Sequence, residues 1–280
     1  MSPKFQIRHN LAAAIHRHPV VSYFVLTFSI SWTGALAVAA PQLMRHQTLP
    51  KMTGILMFPV MLLGPSFAGI LLTKILDGKC GLQRLFSQML LARVPAGWYL
   101  TLLIPPILVL TILFLLERFV SQVYAPNRFL MGVLFGIPAG FLEEVGWTGF
   151  AFPKMCLHRN GLSASIVLGL LWALWHLPVI DYLGVASPHG AQWLPFFLAF
   201  SFAMTGMRVL IAWIYTNTNS VLLAQLMHVS STGSLVIFGA PHVTAPQEVR
   251  WYALYGTALW LVVVIVVRRY GRRLGQQSVY

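Results

Sequence analysis

Two adjacent glutamates, Glu143 and Glu144, lie inside a long apolar run of the sequence. A carboxylate at membrane depth is energetically expensive, so it usually faces a cavity or a charged partner. Consecutive residues of a helix point about 100° apart, so the two carboxylates cannot reach the same spot. We therefore expect one glutamate to face a site, where it could act as a general base, and the other to face a neighbouring helix. The alternative is a structural pair held by arginine or by backbone donors.

Two histidines lie deep in other apolar runs. His176 follows Trp172 by four residues, and Thr232 follows His228 by four, so each pair is expected to share a helix face. A lone histidine of this kind often just bonds a backbone carbonyl. Two histidines with Glu143 allow a divalent metal site, such as zinc, or a water activated by Glu and His beside an oxyanion site. Both arrangements point to hydrolysis of an acyl bond.

The composition requires a membrane around these residues. The chain has 280 residues, of which 58% are hydrophobic and 9% are charged, whereas an ordinary soluble domain is about 25% charged. So few charges cannot cover a water-soluble protein of this size, and the hydrophobicity excludes disorder. The net charge of +13 is scattered in short groups between apolar runs. We therefore expect the lipid bilayer, and no nucleic acid, as a partner.

Eight apolar segments are long enough to cross a bilayer. They predict an all-α fold, a polytopic membrane bundle of about eight transmembrane helices with a polar intramembrane cavity. Pro138 and its flanking glycines are expected to weaken the fourth helix just before the carboxylates. The predicted spans are Val20–Ala40, Met52–Leu76, Trp98–Leu116, Phe129–Phe152, Leu162–Leu183, Trp193–Thr216, Ser220–Gly239 and Trp251–Val267.

The distribution of Lys and Arg predicts the orientation. With eight spans both termini share one side, and that side collects 13 of the 19 basic residues, the other side five, and Arg208 lies within a span. The positive-inside rule then places both termini in the cytoplasm. We expect an integral, multi-pass protein of the bacterial inner (plasma) membrane, with its cavity opening towards the cytoplasm.

Three short motifs resemble those of the CAAX-protease and bacteriocin-processing (CPBP) family. The family has Glu-Glu-x-x-x-Arg, Phe-x-x-x-His and His-x-x-x-Asn in this order. This chain has Glu143-Glu144-x-x-x-Thr148, Trp172-x-x-x-His176 and His228-x-x-x-Thr232. Threonine thus replaces the arginine of the first motif and the asparagine of the third.

The resemblance implies an intramembrane metalloendopeptidase similar to type II CAAX prenyl endopeptidases, acting on a hydrophobic or lipidated peptide or protein. It implies that Glu143, beside Glu144, activates a water together with His176. His228 and Thr232 are then expected to stabilise the oxyanion. If zinc or another divalent metal is bound, His176, His228 and Glu143 are the expected ligands.

Arg208 is expected to replace the missing arginine of the first motif. Its charge inside a span needs a partner, so we predict that it pairs with Glu144, with Thr148 and Trp172 as supporting residues. The alternative is that Arg208 extends to the cytoplasmic interface. The resemblance also divides the chain into N-terminal helices with a cytoplasmic loop (1–128), catalytic helices four to seven (129–240), and a final helix with a basic cytoplasmic tail (241–280).

A non-proteolytic function is the alternative to the protease. A transporter or an immunity-type membrane binding protein could use the same buried Glu and His cluster, because such groups also relay protons. Transporters often contain paired broken helices in two halves, whereas this sequence has a single polar cluster. A purely structural role is the third hypothesis.

Overall fold

A computed structural model describes residues 12–275, and that range is helical with short connections and no strand. Seven of the described helices are long and apolar enough to cross a membrane, and a shorter apolar helix accompanies them. The predicted all-α, multi-pass membrane bundle is thereby confirmed.

Every predicted span corresponds to a helix, which we number in chain order. The short helical turns Gly97–Leu100 and Thr101–Leu103 lead into α3. The helices are α1 (Pro19–Met44), α2 (Lys51–Met89), α3 (Ile104–Phe119), α4 (Leu130–Cys156), α5 (Gly161–Trp175), α6 (Trp193–Thr218), α7 (Val221–Phe238) and α8 (Ala245–Tyr270).

Helix α4 carries both glutamates and changes its winding around them. Two π-helical segments, Ala139–Glu143 and Trp147–Ala151, flank the short α-helical stretch Glu144–Gly146. The first begins directly after Pro138, so the predicted weak point is confirmed. Single π-helical turns are frequent at functional sites, because the extra residue turns a side chain out of the regular helical register.

Helix α5 is shorter than predicted. Its α-helical part ends at Trp175, and the rest of the predicted span is a 3₁₀ helix, Leu177–Tyr182. Pro178 explains the early end, since it has no N–H for the helical bond and disfavours α conformation at the residue before it. Irregular backbone at membrane depth is tolerated where it is buried in protein or lines a cavity. His176 caps α5 at this transition.

Helix α2 continues further than its predicted end at Leu76. It reaches Met89 across a kink at Gly78, whose φ of 63° favours glycine. Helix α2 also approaches α4 very closely, because Gly146 lies against the carbonyl oxygen of Pro65 and the hydroxyl of Tyr23. Small residues permit such close helix contacts in membranes. Helix α6 packs between α5 and α8.

The bundle has two distinct ends. At one end, which we call the basic end, the Leu162 N–H donates to the Arg272 carbonyl over 2.9 Å, so the start of α5 adjoins the end of α8. At the opposite end, the N–H groups of Asn127 and Phe129 donate to the carbonyls of Phe238 and Ile237, joining the start of α4 to the end of α7. Of the 13 basic residues assigned to the basic end, Lys4 and Arg8 lie outside the described residues.

Candidate active site

Glu143 is a buried carboxylate that lines a cavity in the middle of the bundle. Its Oε2 accepts a hydrogen bond from the indole N–H of Trp172 on α5, over 2.7 Å, and another from that of Trp147, over 3.1 Å. Hydrogen bonds to an ionised group are among the stronger ones in proteins. The two indoles therefore fix the carboxylate through one oxygen and leave Oε1 for a molecule in the cavity.

Glu144 points away from the cavity and is fully buried. The guanidinium of Arg208 on α6 donates to its two oxygens over 2.7 and 2.8 Å. Nδ1 of His228 lies 2.8 Å from Oε1, and the hydroxyl of Thr148 donates to Oε2. The predicted division between the two glutamates and the predicted Arg208–Glu144 contact are both present. Arg208 is only 1% exposed, so extension to the interface is wrong.

Arg208 also connects the two carboxylates. Its guanidinium carbon lies 4.3 Å from the ring centre of Trp172, in a cation–π contact. The same indole donates to Glu143, while the guanidinium donates to Glu144. Thr148, at the position of the family's arginine, contributes a hydroxyl to this network. The cation that the first motif lacks is therefore supplied from another helix.

The two histidines present their second ring nitrogens to the site. Nδ1 of His176 lies 2.8 Å from the carbonyl oxygen of Trp172, an atom that can only accept, so Nδ1 carries a proton. Nδ1 of His228 donates in the same way to the Glu144 carboxylate. Each ring thus has Nε2 free of these contacts. A purely structural histidine would also donate a hydrogen bond to a backbone carbonyl, as His176 does. That hydrogen bond is therefore compatible with a structural role and with a catalytic one.

The cavity has a volume of about 210 Å³ and an uneven chemical character. Four of its polar side chains are ones that the sequence analysis selected, namely Glu143, His176, His228 and Thr232, and Tyr252 adds a hydroxyl that was not selected. The remaining wall is mostly apolar, and its larger side chains include Phe58, Met61, Phe200, Met204 and Leu235.

The direction of the cavity shows that two of the predictions cannot both hold. From the level of Glu143 it extends along Leu235, near the end of α7, and reaches Val185, in the connection between α5 and α6. Both belong to the opposite end of the bundle, away from the C-terminus. A cavity that opens to the cytoplasm is therefore incompatible with cytoplasmic termini, because the two features lie at different ends. The orientation of the termini stays a prediction.

Comparison with known proteins finds a similar family and a similar relative. A family model described as type II CAAX prenyl endopeptidase Rce1-like matches residues 125–232. The CAAX prenyl protease 2 of Methanococcus maripaludis is 28% identical over 225 residues, which cover 74% of this chain and 79% of that protein. The chain is therefore similar to the CAAX protease family over its fourth to seventh helices. This similarity supports a protease, hence a hydrolase, in a multi-pass membrane protein.

The matched range of the CAAX protease family contains all the predicted site residues, from Glu143 to Thr232. Their individual roles stay predictions. The division of the chain at residues 128 and 240 also stays a prediction. The matched range begins shortly before α4 and ends within α7.

Two features of the site were missed from the sequence. Trp147 was not selected, although its position four residues after Glu143 is a spacing at which helical side chains meet. The second feature is a clamp made by Glu248 at the start of α8. Its carboxylate accepts the N–H groups of Val185 and Ala186, over 2.8 and 2.9 Å, and contacts Nε2 of His189 over 3.2 Å. The clamp fixes a segment that lines the cavity.

The metal prediction needs three converging ligands. Among residues 12–275, no group of three His, Cys, Asp or Glu side chains is close enough to hold a metal ion. The side chains of His176, His228 and Glu143 therefore do not converge closely enough in this structure to form a metal site. Metal binding stays a prediction.

Proposed function

We propose that this protein is an intramembrane endopeptidase that hydrolyses a peptide bond in a membrane-associated, hydrophobic or lipidated substrate. The observation that carries the proposal is the Glu143 carboxylate, held by two indole N–H groups at the polar wall of an otherwise apolar cavity. The similarity to a CAAX prenyl protease supports the same activity.

Glu143 and His176 activate the attacking water. A water in the cavity donates one proton to Oε1 of Glu143, while Nε2 of His176, unprotonated in the tautomer given above, accepts a hydrogen bond from the other. The resulting hydroxide attacks the carbonyl carbon of the scissile bond. Since Trp172 contacts both side chains, donating to Glu143 and accepting from His176, it holds the general base and its partner in fixed relation.

His228 and Thr232 stabilise the tetrahedral intermediate. Donors directed at the developing oxyanion are commonly the largest single contribution to acyl-transfer catalysis. Nε2 of His228 donates when the ring carries both protons, and the Glu144 carboxylate at Nδ1 supplies the compensating charge. When the C–N bond breaks, Glu143 returns its proton to the leaving amine, so the products are a carboxylic acid and an amine.

Zinc is a separate proposal and takes no part in these steps. Metal analysis of the purified protein, with and without substitution of His228 by Ala, tests it. Stoichiometric zinc that disappears in His228→Ala supports the ligand set, whereas a metal-free protein that still hydrolyses peptides contradicts it.

The decisive experiment replaces Glu143 by Gln in the full-length protein. The assay uses internally quenched peptides in detergent, with and without an S-prenylated cysteine near the C-terminus. Loss of a general base typically lowers the rate by about 10²–10⁴-fold. The matched control is Glu117→Gln, on α3 and outside the cavity lining, which we expect to leave hydrolysis unchanged.

Two outcomes would contradict the proposal. Hydrolysis that persists in Glu143→Gln removes the proposed base. Absence of hydrolysis in the wild-type protein, combined with solute or proton flux in proteoliposomes that Glu143→Gln abolishes, supports the non-proteolytic transporter instead.

A further inference from the structure

Residues 184–188, in the connection between α5 and α6, form a wall of the central cavity, and we call them the wall segment. Gly184 and Val185 line this cavity and also a smaller second cavity beside α8. Ser187 and Pro188 line a separate pocket of about 320 Å³. The wall segment therefore borders empty space at several places. A segment with few buried contacts opens locally more easily than a packed helix does.

The hydrogen bonds of the wall segment come from a single side chain on another element. Within the described residues, no backbone–backbone hydrogen bond includes residues 184–188. Instead, the N–H groups of Val185 and Ala186 donate to Oε1 and Oε2 of Glu248, over 2.8 and 2.9 Å. Backbone polar groups that are withdrawn from water need such partners. The Glu248 carboxylate thus does for this segment what a neighbouring strand does in a sheet.

Glu248 is itself held in place. It is only 4% exposed and lies in the first turn of α8, where the helix dipole favours a negative charge. Nε2 of His189 lies 3.2 Å from its Oε2, and Nδ1 of the same ring lies 3.3 Å from Oδ1 of Asp181. The ring stacks on Phe196 of α6, with 3.7 Å between the ring centres. The Glu248 clamp therefore joins the wall segment to both α6 and α8.

We propose that Glu248 is a positioning residue for substrate binding. This inference rests on the proposed function. Glu248 acts through the N–H groups of Val185 and Ala186, which it holds in place at the cavity wall. A wall of fixed shape lowers the cost of ordering the site when a substrate chain binds. Loss of the clamp should therefore weaken substrate binding and leave the chemistry at Glu143 unchanged.

Hydrogen–deuterium exchange tests the clamp without using activity. In Glu248→Gln the side chain keeps its size, but its amide nitrogen cannot accept, so one of the two N–H groups loses its partner. In the full-length protein in detergent, we expect the wall segment to exchange at least about 10-fold faster than in the wild-type protein. The matched control is Glu117→Gln on α3, for which we expect no change in this segment. Unchanged exchange in Glu248→Gln overturns the inference.

Steady-state kinetics tests the positioning role. With the quenched peptides of the Glu143→Gln assay, we expect Glu248→Gln to raise KM about 10-fold and to change kcat less than about twofold, because a loss of ground-state binding appears in KM. Glu143→Gln should instead lower kcat. An unchanged KM, or a fall in kcat alone, overturns the positioning role and leaves the proposed function intact.

A second pair of variants perturbs the clamp from the side of the wall segment, and it applies also if Glu248→Gln does not fold. Gly184 and Gly190 both have a positive φ, of 82° and 54°. A methyl group at Gly184 would meet the Glu248 carboxylate, whereas nothing lies near Gly190. Both alanine variants carry backbone strain, but only Gly184→Ala presses on the clamp.

We expect Gly184→Ala to raise both KM and the exchange rate of the wall segment, and Gly190→Ala to raise neither. Equal effects of the two variants overturn the inference. Absence of hydrolysis in the wild-type protein contradicts the proposed function and the positioning role together, while the exchange rates still report whether Glu248 holds the wall segment.

Discussion

Replacing Arg208 by Met removes the only guanidinium that contacts Glu144 in the described structure. Both oxygens of Glu144 lose a donor at 2.7 or 2.8 Å, while Thr148 and His228 remain. Breaking a buried ion pair from one side costs about 3–5 kcal/mol, since the remaining charge has no counterion. Because two other donors stay in place, we expect the lower value of about 3 kcal/mol, a fall in melting temperature of about 6–12 °C for a chain of this size.

The departure from the family motif provides a sharper test. Thr148 is one helical turn from Glu144, at the position where the family has arginine, so Thr148→Arg can return a guanidinium to the same carboxylate. In the Arg208→Met background we expect this second substitution to raise the melting temperature, because the new side chain enters the vacated space. In the wild-type background it should lower the melting temperature, since overpacking a filled core costs about 1–3 kcal/mol and a second cation is added.

The assay is thermal unfolding in detergent, followed by tryptophan fluorescence, for the four proteins of the double-mutant cycle. The matched control is Arg93→Met, at an exposed arginine, for which we expect a change within about 0.5 kcal/mol. The reasoning is refuted if Arg208→Met is no less stable than Arg93→Met, or if Thr148→Arg has the same sign of effect in both backgrounds.

Two further substitutions test the indole contact and the close helix approach. In Trp172→Phe an aromatic ring remains but the N–H donated to Glu143 is lost, so we expect kcat to fall about 10- to 100-fold. The lost hydrogen bond to a buried carboxylate should also cost about 1–3 kcal/mol of stability. An unchanged kcat in the folded variant would show that the contact is not used. In Gly146→Ala the added methyl group meets the Pro65 carbonyl and the Tyr23 hydroxyl, so we expect a loss of about 1–3 kcal/mol in the free energy of unfolding. Gly97→Ala, where nothing lies nearby, is the control, and equal stability of the two variants would contradict the packing argument.

The helices were predictable because a chain that crosses lipid can adopt few backbone structures. Backbone polar groups in a bilayer must be satisfied internally, so an apolar run of about 20 residues becomes a helix. The early end of α5 was not predicted, because the apolar run continues past Trp175 through Leu177–Ile180. Pro178 was the local signal, but a proline inside a membrane helix often produces only a kink.

Charge balance and helical geometry predicted much of the site. The opposed directions of Glu143 and Glu144 follow from the angle between neighbouring helix positions, and the Arg208 contact follows from the need of a buried cation for a partner. The Glu248 clamp could not be found in this way, since it joins segments about 60 residues apart through backbone N–H groups. The direction of the cavity could not be predicted from the sequence either. It depends on where large side chains such as Phe150 and Leu168 are buried in the bundle.

Helix α5, beside the site, is shorter than the bilayer is thick. Its 15 residues span about 22 Å at 1.5 Å per residue, whereas a hydrocarbon core is about 30 Å thick. The 3₁₀ helix that continues the chain, Leu177–Tyr182, buries Val179 and Ile180 inside the bundle. Leu170 and Leu174 are exposed on the surface of α5, so this helix meets lipid directly. Hydrophobic mismatch of this kind draws the bilayer thinner around the shorter element, at a modest cost per ångström. If the protein hydrolyses peptides as proposed, we expect the rate of hydrolysis to change with the acyl-chain length of the surrounding lipids, so that membrane thickness would tune the site.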